Sequence, residues 1–288
     1  MFDFRYHVVS LAAVFLALIV GIVIGVGLSG QGIVQESERE ALNNRIADLN
    51  ADIDRKDSQL EQRAAAERFI DAAYPAVLDR RLAGRRIVVV FVGPADPTRS
   101  AIEQTIRDAG GGEPVRLSVL KVPIDEAALE RTLDGNTGLA DLASPDDPGE
   151  ISRVLGEELL EGGDAPLWDG LAAQLIIERN PDADPPADGV VVVRTAEPQQ
   201  GPTARFLGGL YAGLSGSVPA VWVDIGKTED GPVPHPSGFA AVRGVDTALG
   251  RITLAVLLET GDSGEYGPGA DTLIPAIAPV PSAAETGG

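Results

Sequence analysis

Arg86–Val92 reads RIVVVFV. After its first residue the run is wholly apolar and mostly β-branched. A strand with one wet face would alternate polar and apolar residues. This one does not, so it reads as a strand buried on both faces, as in a parallel sheet covered by helices. Gly93-Pro94-Ala95-Asp96-Pro97 makes the turn that follows, and Thr98–Ala109 carries helical periodicity. Gly110-Gly111-Gly112 closes that helix and Pro114–Val122 is the next strand. Together these segments form one βαβ unit.

Downstream the pattern repeats. Gly189–Thr195, GVVVVRT, and Val218–Ile225 are two more doubly buried strands, with a helix over Pro202–Leu214 between them. A shorter strand, Phe239–Val245, precedes a helix over Thr247–Leu258. The middle of the chain reads as helical at Asp125–Leu133, Asp147–Leu160 and Pro166–Arg179. Leu167, Leu171, Leu175 and Ile176 mark the inner side of the last of these. Strands alternating with helices predict an α/β, Rossmann-like layered domain with a mainly parallel sheet over residues 71–262. Residues 263–288 are rich in Gly, Pro and Ala and read as an unstructured tail that docks where Leu273-Ile274-Pro275 offers apolar surface.

Upstream, Leu42, Ile46, Leu49, Ile53 and Leu60 follow a 4-3-4-7 spacing, with Lys56 at the interrupted position. Ile at a and Leu at d favour a parallel two-stranded coiled coil, here over residues 33–70. The seam is short, and an amphipathic helix folded onto its own domain is the competing reading. Residues 31–35 read as a short Gly-containing passage before that helix. Phe69, Ile70, Ala73, Tyr74, Val77 and Leu82 suggest a separate docking helix, ended by Gly84.

Before all of this stands Val8–Leu28, VVSLAAVFLALIVGIVIGVGL, an uncharged run of 21 residues. As a helix it would reach about 32 Å, the thickness of a bilayer's hydrocarbon core. It reads as a transmembrane helix. A buried core helix and a cleaved signal peptide are the rivals, and the length of the run argues against both. Ala13, Ala17, Gly21, Gly25 and Ser29 recur every four residues and form a ridge without bulk, suited to close helix–helix packing. Ridge and seam together predict a homo-oligomer, a dimer or higher. Arg5 and the terminal amine outweigh Asp3 on the short side, so residues 1–7 are expected in the cytoplasm and the bulk of the chain outside, a single pass of the cell membrane.

The formal net charge is −20, and there is no cysteine, one methionine and two histidines. So acidic a chain repels phosphates, which argues against nucleic acid as a partner. Disulfides, thiolate metal sites and thiol catalysis are excluded. Thr98 and Ser100 could meet an anion at a helix N-terminus, but no GxGxxG or GxxxxGK[ST] is present and cap chemistry alone accounts for them. His235, in Pro232-Val233-Pro234-His235-Pro236, lacks any nucleophile-elbow motif around it. Its acidic neighbours in sequence are Asp224, Glu229 and Asp230. The clusters Asp182, Asp184, Asp188 and Asp146, Asp147, Glu150 lack the ordered spacing of an EF-hand. No catalytic, cofactor-binding or resident metal site is therefore expected, and the chain does not read as an enzyme.

The amino-terminal segment RYHVVSLAAVFLALIVGIVIG resembles the start of the mycobacterial copper transport protein B family of actinobacteria, through Arg5, His7, Ser10, Leu11, Ala13, Val14, Phe15, Leu16, Ala17, Leu18, Gly21 and Gly25. Near the end, GRITLAVLLETGDSGEYGPGADTLIP is similar to the family's closing segment, with Tyr266, Gly267 and Gly269 in place. The resemblance implies a cell-envelope membrane protein of copper transport or homeostasis, with the copper ion as transported species and an outer-membrane, pore-forming role in mycobacteria. A single-pass envelope scaffold whose acidic domain binds a partner protein is the alternative.

Overall fold

The computed structural model describes residues 4–28, 31–94, 98–140, 148–180, 186–225 and 234–278. By contacts the chain divides into two units, Met1–Glu67 and Arg68–Gly288. The first holds α1 (Phe4–Leu28) and most of α2 (Gln31–Leu78). Tyr6–Gly27 is long and apolar enough to cross a membrane, and none of it is buried. Leu42, Ile46, Leu49, Ile53 and Leu60 lie along α2, each more than half exposed.

Two expectations for this region are corrected. Residues 31–35 are helical, and the docking segment from Phe69 is the same helix carried on to Leu78. Good helix formers such as Ala, Glu, Arg and Leu fill the stretch from 38 to 74, and nothing within it interrupts the backbone ladder. Pro75 removes a donor, and the helix stops within one turn of it.

The second unit is built in chain order from β1 (Ile87–Val92), α3 (Thr98–Asp108), β2 (Arg116–Leu120), α4 (Glu126–Asp134), α5 (Thr137–Ala140), α6 (Pro148–Glu161), α7 (Pro166–Leu175), β3 (Ile176–Arg179), β4 (Gly189–Arg194), α8 (Gly201–Leu214), β5 (Ala220–Asp224), β6 (Ala240–Arg243), α9 (Ala248–Thr260) and β7 (Glu265–Tyr266). The described strands form one seven-stranded sheet in the order β3-β2-β1-β4-β5-β6-β7. All neighbours are parallel except β2 and β3.

Alternate residues of each doubly buried strand feed two separate cores. Val88, Val90, Val92, Val190, Val192 and Trp222 pack with α4, α6, α7 and α8 on one face. Ile87, Val89, Phe91, Val191, Val193 and Val221 pack with α3, α9 and the end of α2 on the other. This is why RIVVVFV carries no polar alternation: both faces of β1 are covered, and its six strand residues are at most 1% exposed.

The helix expected over Pro166–Arg179 ends at Leu175. Ile176–Arg179 turns back as an antiparallel edge strand on β2. Two β-branched residues at the switch favour extended backbone. Asn180 then pins the strand end, its amide nitrogen donating to Pro114 O at 3.0 Å and its Oδ1 accepting from Leu117 N at 2.6 Å. The expected tail is also corrected, since Glu265–Tyr266 adds to the other edge of the sheet beside β6.

Candidate functional site

The strand order reverses between β1 and β4, because β1 leads outward to β2 and β4 leads the other way to β5. In open α/β sheets such a reversal leaves a crevice beyond the carboxyl ends of the strands. Here the gap directly above β1 and β4 is filled. Thr195 N, Ala196 N and Thr195 Oγ1 all donate to Val92 O, at 3.1, 3.0 and 3.1 Å. Gly93 sits beneath them with φ 103°, and a Cβ there would stand 2.7 Å from Thr195 Oγ1. Only glycine suits that combination of backbone and space.

A cleft of about 260 Å³ opens beside this bridge, on the α8 side of the sheet. Val92, Arg194 and Trp222 form its floor at the strand ends; Ala204, Leu207 and Tyr211 of α8 line it as well. Pro198 and Gln199 enter from the loop before α8, and Pro234, His235 and Pro236 from the loop before β6.

The electrostatics begin in one row across three strands. Arg194, Asp224 and Arg243 are register partners on β4, β5 and β6. Asp224 stands 3.5 Å from Arg194 Nη2 and 4.0 Å from Arg243 Nε. The Arg194 guanidinium also lies over the Trp222 ring, 5.7 Å from its centroid, a cation–π geometry. Trp222 meets Tyr211 edge-on at 5.1 Å and Phe239 at 6.1 Å. Burial pushes the Tyr211 hydroxyl well above its ordinary pKa, with the Arg194 charge acting the other way, so it remains a protonated donor.

His235 also faces a second hollow, of about 660 Å³, lined by Gly264, Glu265, Gly269, Ala270, Asp271 and Thr272. Its Nε2 is 3.7 Å from Glu265 Oε1, and its Nδ1 is 3.0 Å from Pro236 O. The acidic group beside His235 is thus Glu265. Asp224 is engaged with the two arginines, while Glu229 and Asp230 lie outside the described residues. Among the described residues no group of three or more His, Cys, Asp or Glu side chains is placed to hold a metal ion.

The other residues singled out from sequence fall in three places. Ala13, Ala17, Gly21 and Gly25 are on α1, where a Cβ built at Gly21 or Gly25 has no other atom within 4 Å outside the local helix backbone. Arg5 is in the first turn of α1 and His7 is exposed on it; Ser29 lies outside the described residues. Tyr266, Gly267 and Gly269 belong to the segment that β7 ties to the sheet. Tyr266 pairs with Val242, and its hydroxyl donates to Ser263 O at 3.1 Å. Gly267 has φ 107°, and a Cβ there would stand 2.8 Å from Arg243 O. Of the two acidic clusters, Asp188 is held by Arg86 and Glu150 by Arg153, while Asp146, Asp147, Asp182 and Asp184 lie outside the described residues. Sequence reasoning missed Arg194, Tyr211 and Trp222 as a group. The available signal was a charged residue closing one doubly buried strand and an aromatic residue in the middle of the next.

The family model described as "Copper transport outer membrane protein, MctB" matches residues 1–275. Over 134 residues the chain is 29% identical to proteins named "Copper transporter MctB" from Mycobacterium bovis and from two strains of Mycobacterium tuberculosis. That match takes in 46% of this chain and 42% of each relative, so it spans less than half the length of those proteins. With the family match running from the first residue through β7 and beyond it, the chain belongs to the MctB family of copper transport outer membrane proteins.

Proposed function

We propose that this chain is a membrane-anchored protein of the cell envelope that serves copper efflux or copper homeostasis as an oligomer, with copper as its transported species and not as a resident cofactor. The observation that carries the reading is the family match over residues 1–275. The apolar run of α1 supports a single-pass anchor. The small-residue ridge of α1 and the exposed apolar seam of α2 support parallel self-association, as a short coiled coil at α2. Helices on both faces of a parallel sheet, with one reversal of strand order, support a Rossmann-like reading of the large domain. Charge bias around α1 supports an amino terminus in the cytoplasm and the large unit outside. The relatives' family description adds the outer membrane as the site of action in mycobacteria.

A lone helix cannot line a path for an ion, so conduction requires several chains or a partner. A tight Cu(I) site wants thiolates, thioethers or clustered imidazoles, and the chain has no Cys, one Met and two His. The second reading, a single-pass scaffold whose acidic domain binds an envelope partner, rests on that shortage of soft ligands. Growth of a deletion strain across a range of copper concentrations separates the two. Altered copper tolerance, restored by the wild-type chain, is expected. Unchanged tolerance overturns the copper reading and leaves the scaffold.

A further inference from the structure

Trp222 is 2% exposed, yet its indole nitrogen, itself buried, has no hydrogen-bond partner. An indole N–H is a donor only, and native structures leave few such groups unmet. The Tyr211 ring packs edge-on against the indole at 5.1 Å between centroids, and an N–H contact to a ring would recover only part of a normal hydrogen bond. The residue lies in the wall of the cleft beside the strand reversal, not in a sealed core.

The cleft that Trp222 lines holds further donors. Arg194 is bound to Asp224 through a single nitrogen at 3.5 Å, a loose pairing that leaves other guanidinium N–H groups for the cleft. Tyr211 lines the same space. Glu197, the carboxylate in the cleft wall, is exposed to solvent. Gln199 and His235 add polar groups, and the remaining walls, from Val92, Pro198, Ala204, Leu207, Pro234 and Pro236, are apolar. A few convergent polar groups in an apolar concavity are the mark of a small-molecule site.

We propose that this cleft binds a small organic acid, whose carboxylate accepts from the Arg194 guanidinium and, once the cleft side chains shift to uncover it, from the Trp222 indole N–H, while its apolar body lies against Ala204, Leu207 and Pro198. A carboxylate has the lone pairs to take several donors at once, and its bonds to a guanidinium are the strong, charge-assisted kind. The site is independent of the copper reading: it lies within the residue 68–288 unit and uses none of the features that support transport.

The test uses the full chain in lipid nanodiscs with ¹⁵N-labelled tryptophan. Trp168 and Trp222 are the two tryptophans, so two indole resonances are expected, assigned through Trp222→Phe. Benzoate, cyclohexanecarboxylate and hexanoate are titrated to about 10 mM, where a millimolar site is largely filled. Benzamide is the uncharged control. The expected result is a saturable shift of the Trp222 resonance by at least one acid, with Trp168 unmoved and benzamide weaker by about tenfold, the worth of one charge-assisted bond. Arg194→Gln should weaken the acid by a similar factor, and Ala204→Phe, which fills the cleft, should abolish the shift. The Trp168 resonance reports that each variant is folded; where it moves, Ala204→Leu replaces Ala204→Phe and Arg194→Met replaces Arg194→Gln. Failure of all three acids to shift Trp222 overturns the proposal and marks the indole as a partner of buried water only. Equal binding of benzamide, or indifference to Ala204→Phe, overturns it too.

Discussion

Glu158 reaches from α6 to the first turn of α7, where its carboxylate accepts from Leu167 N at 3.1 Å and Trp168 N at 2.9 Å. The helix has Ala165 at its N-cap, which offers no side-chain oxygen, so a residue of another helix supplies the cap. Glu158→Ala should cost about 1 kcal/mol in urea denaturation, the usual price of a lost cap. Burial holds the Glu158 carboxyl above the usual carboxylate range, outweighing the two N–H groups that pull it down. Its stabilising contribution is then fully present below the unfolded pKa of about 4.3 and is lost as pH rises through the folded value. The wild type's margin over Glu158→Gln should therefore shrink as pH rises above about 4.3. Asp188 behaves in the opposite sense. The Arg86 guanidinium grips both its oxygens, at 2.7 and 2.9 Å, and holds its pKa below the ordinary value. Its contribution is present above an unfolded pKa of about 3.9 and is lost as pH falls through the folded value, so the margin over Asp188→Asn should close in acid.

At the scale of elements, α6 and α8 cross backbone to backbone. A Cβ on Gly156 would stand 2.5 Å from Leu210 O, and side chains at Gly209 and Gly213 would overlap the carbonyls of Gly149 and Arg153. Gly213→Ala should cost about 1–3 kcal/mol by overpacking, with loss of the cooperative thermal transition as the readout of a larger effect. The spacing Gly209-x-x-x-Gly213 is the one the sequence draws attention to at Gly21 and Gly25. In α8 it serves close packing within the domain; for α1 the proposed partner is a second copy of this chain. Changing Gly21 and Gly25 to Leu together with Ile46 and Ile53 to Asp should convert an oligomer in detergent to monomers by light scattering. A wild type that is already monomeric would falsify the self-association reading. The long elements were legible because their signals are redundant: β1, β4 and β5 each carry a full doubly buried run. β3 and β7 were not, since Ile176 also fits the helical period of α7 and Glu265–Tyr266 is too short to carry a period at all. Their strand character comes from the neighbours they pair with.

For the whole molecule, charge and topology are linked. Residues 1–30 hold only Asp3 and Arg5, so nearly all of the −20 net charge belongs to the part beyond α1. Protease added to intact spheroplasts should digest that part, and full protection until lysis would reverse the orientation. The candidate site was hidden from sequence for a topological reason. Arg194, Tyr211 and Trp222 come from β4, α8 and β5, with no spacing that marks them as a set. Only the parallel register, which sets Arg194 opposite Asp224, and the return of α8 over the sheet gather them in one cleft.

The short strand β7 also bears on how the protein is made. Until residues 265 and 266 have emerged and paired, Ala240–Arg243 is a bare sheet margin with unsatisfied backbone groups, an invitation to pair with other nascent chains. Arg81, 7% exposed, is clamped as late: one guanidinium nitrogen is 2.6 Å from Glu259 and another donates to Ala278 O at 3.0 Å. A ribosome that stops short of this strap releases a polypeptide with its main cores encoded but its margin unsealed. Truncation before residue 265 should therefore yield aggregates, not a slightly shortened working protein.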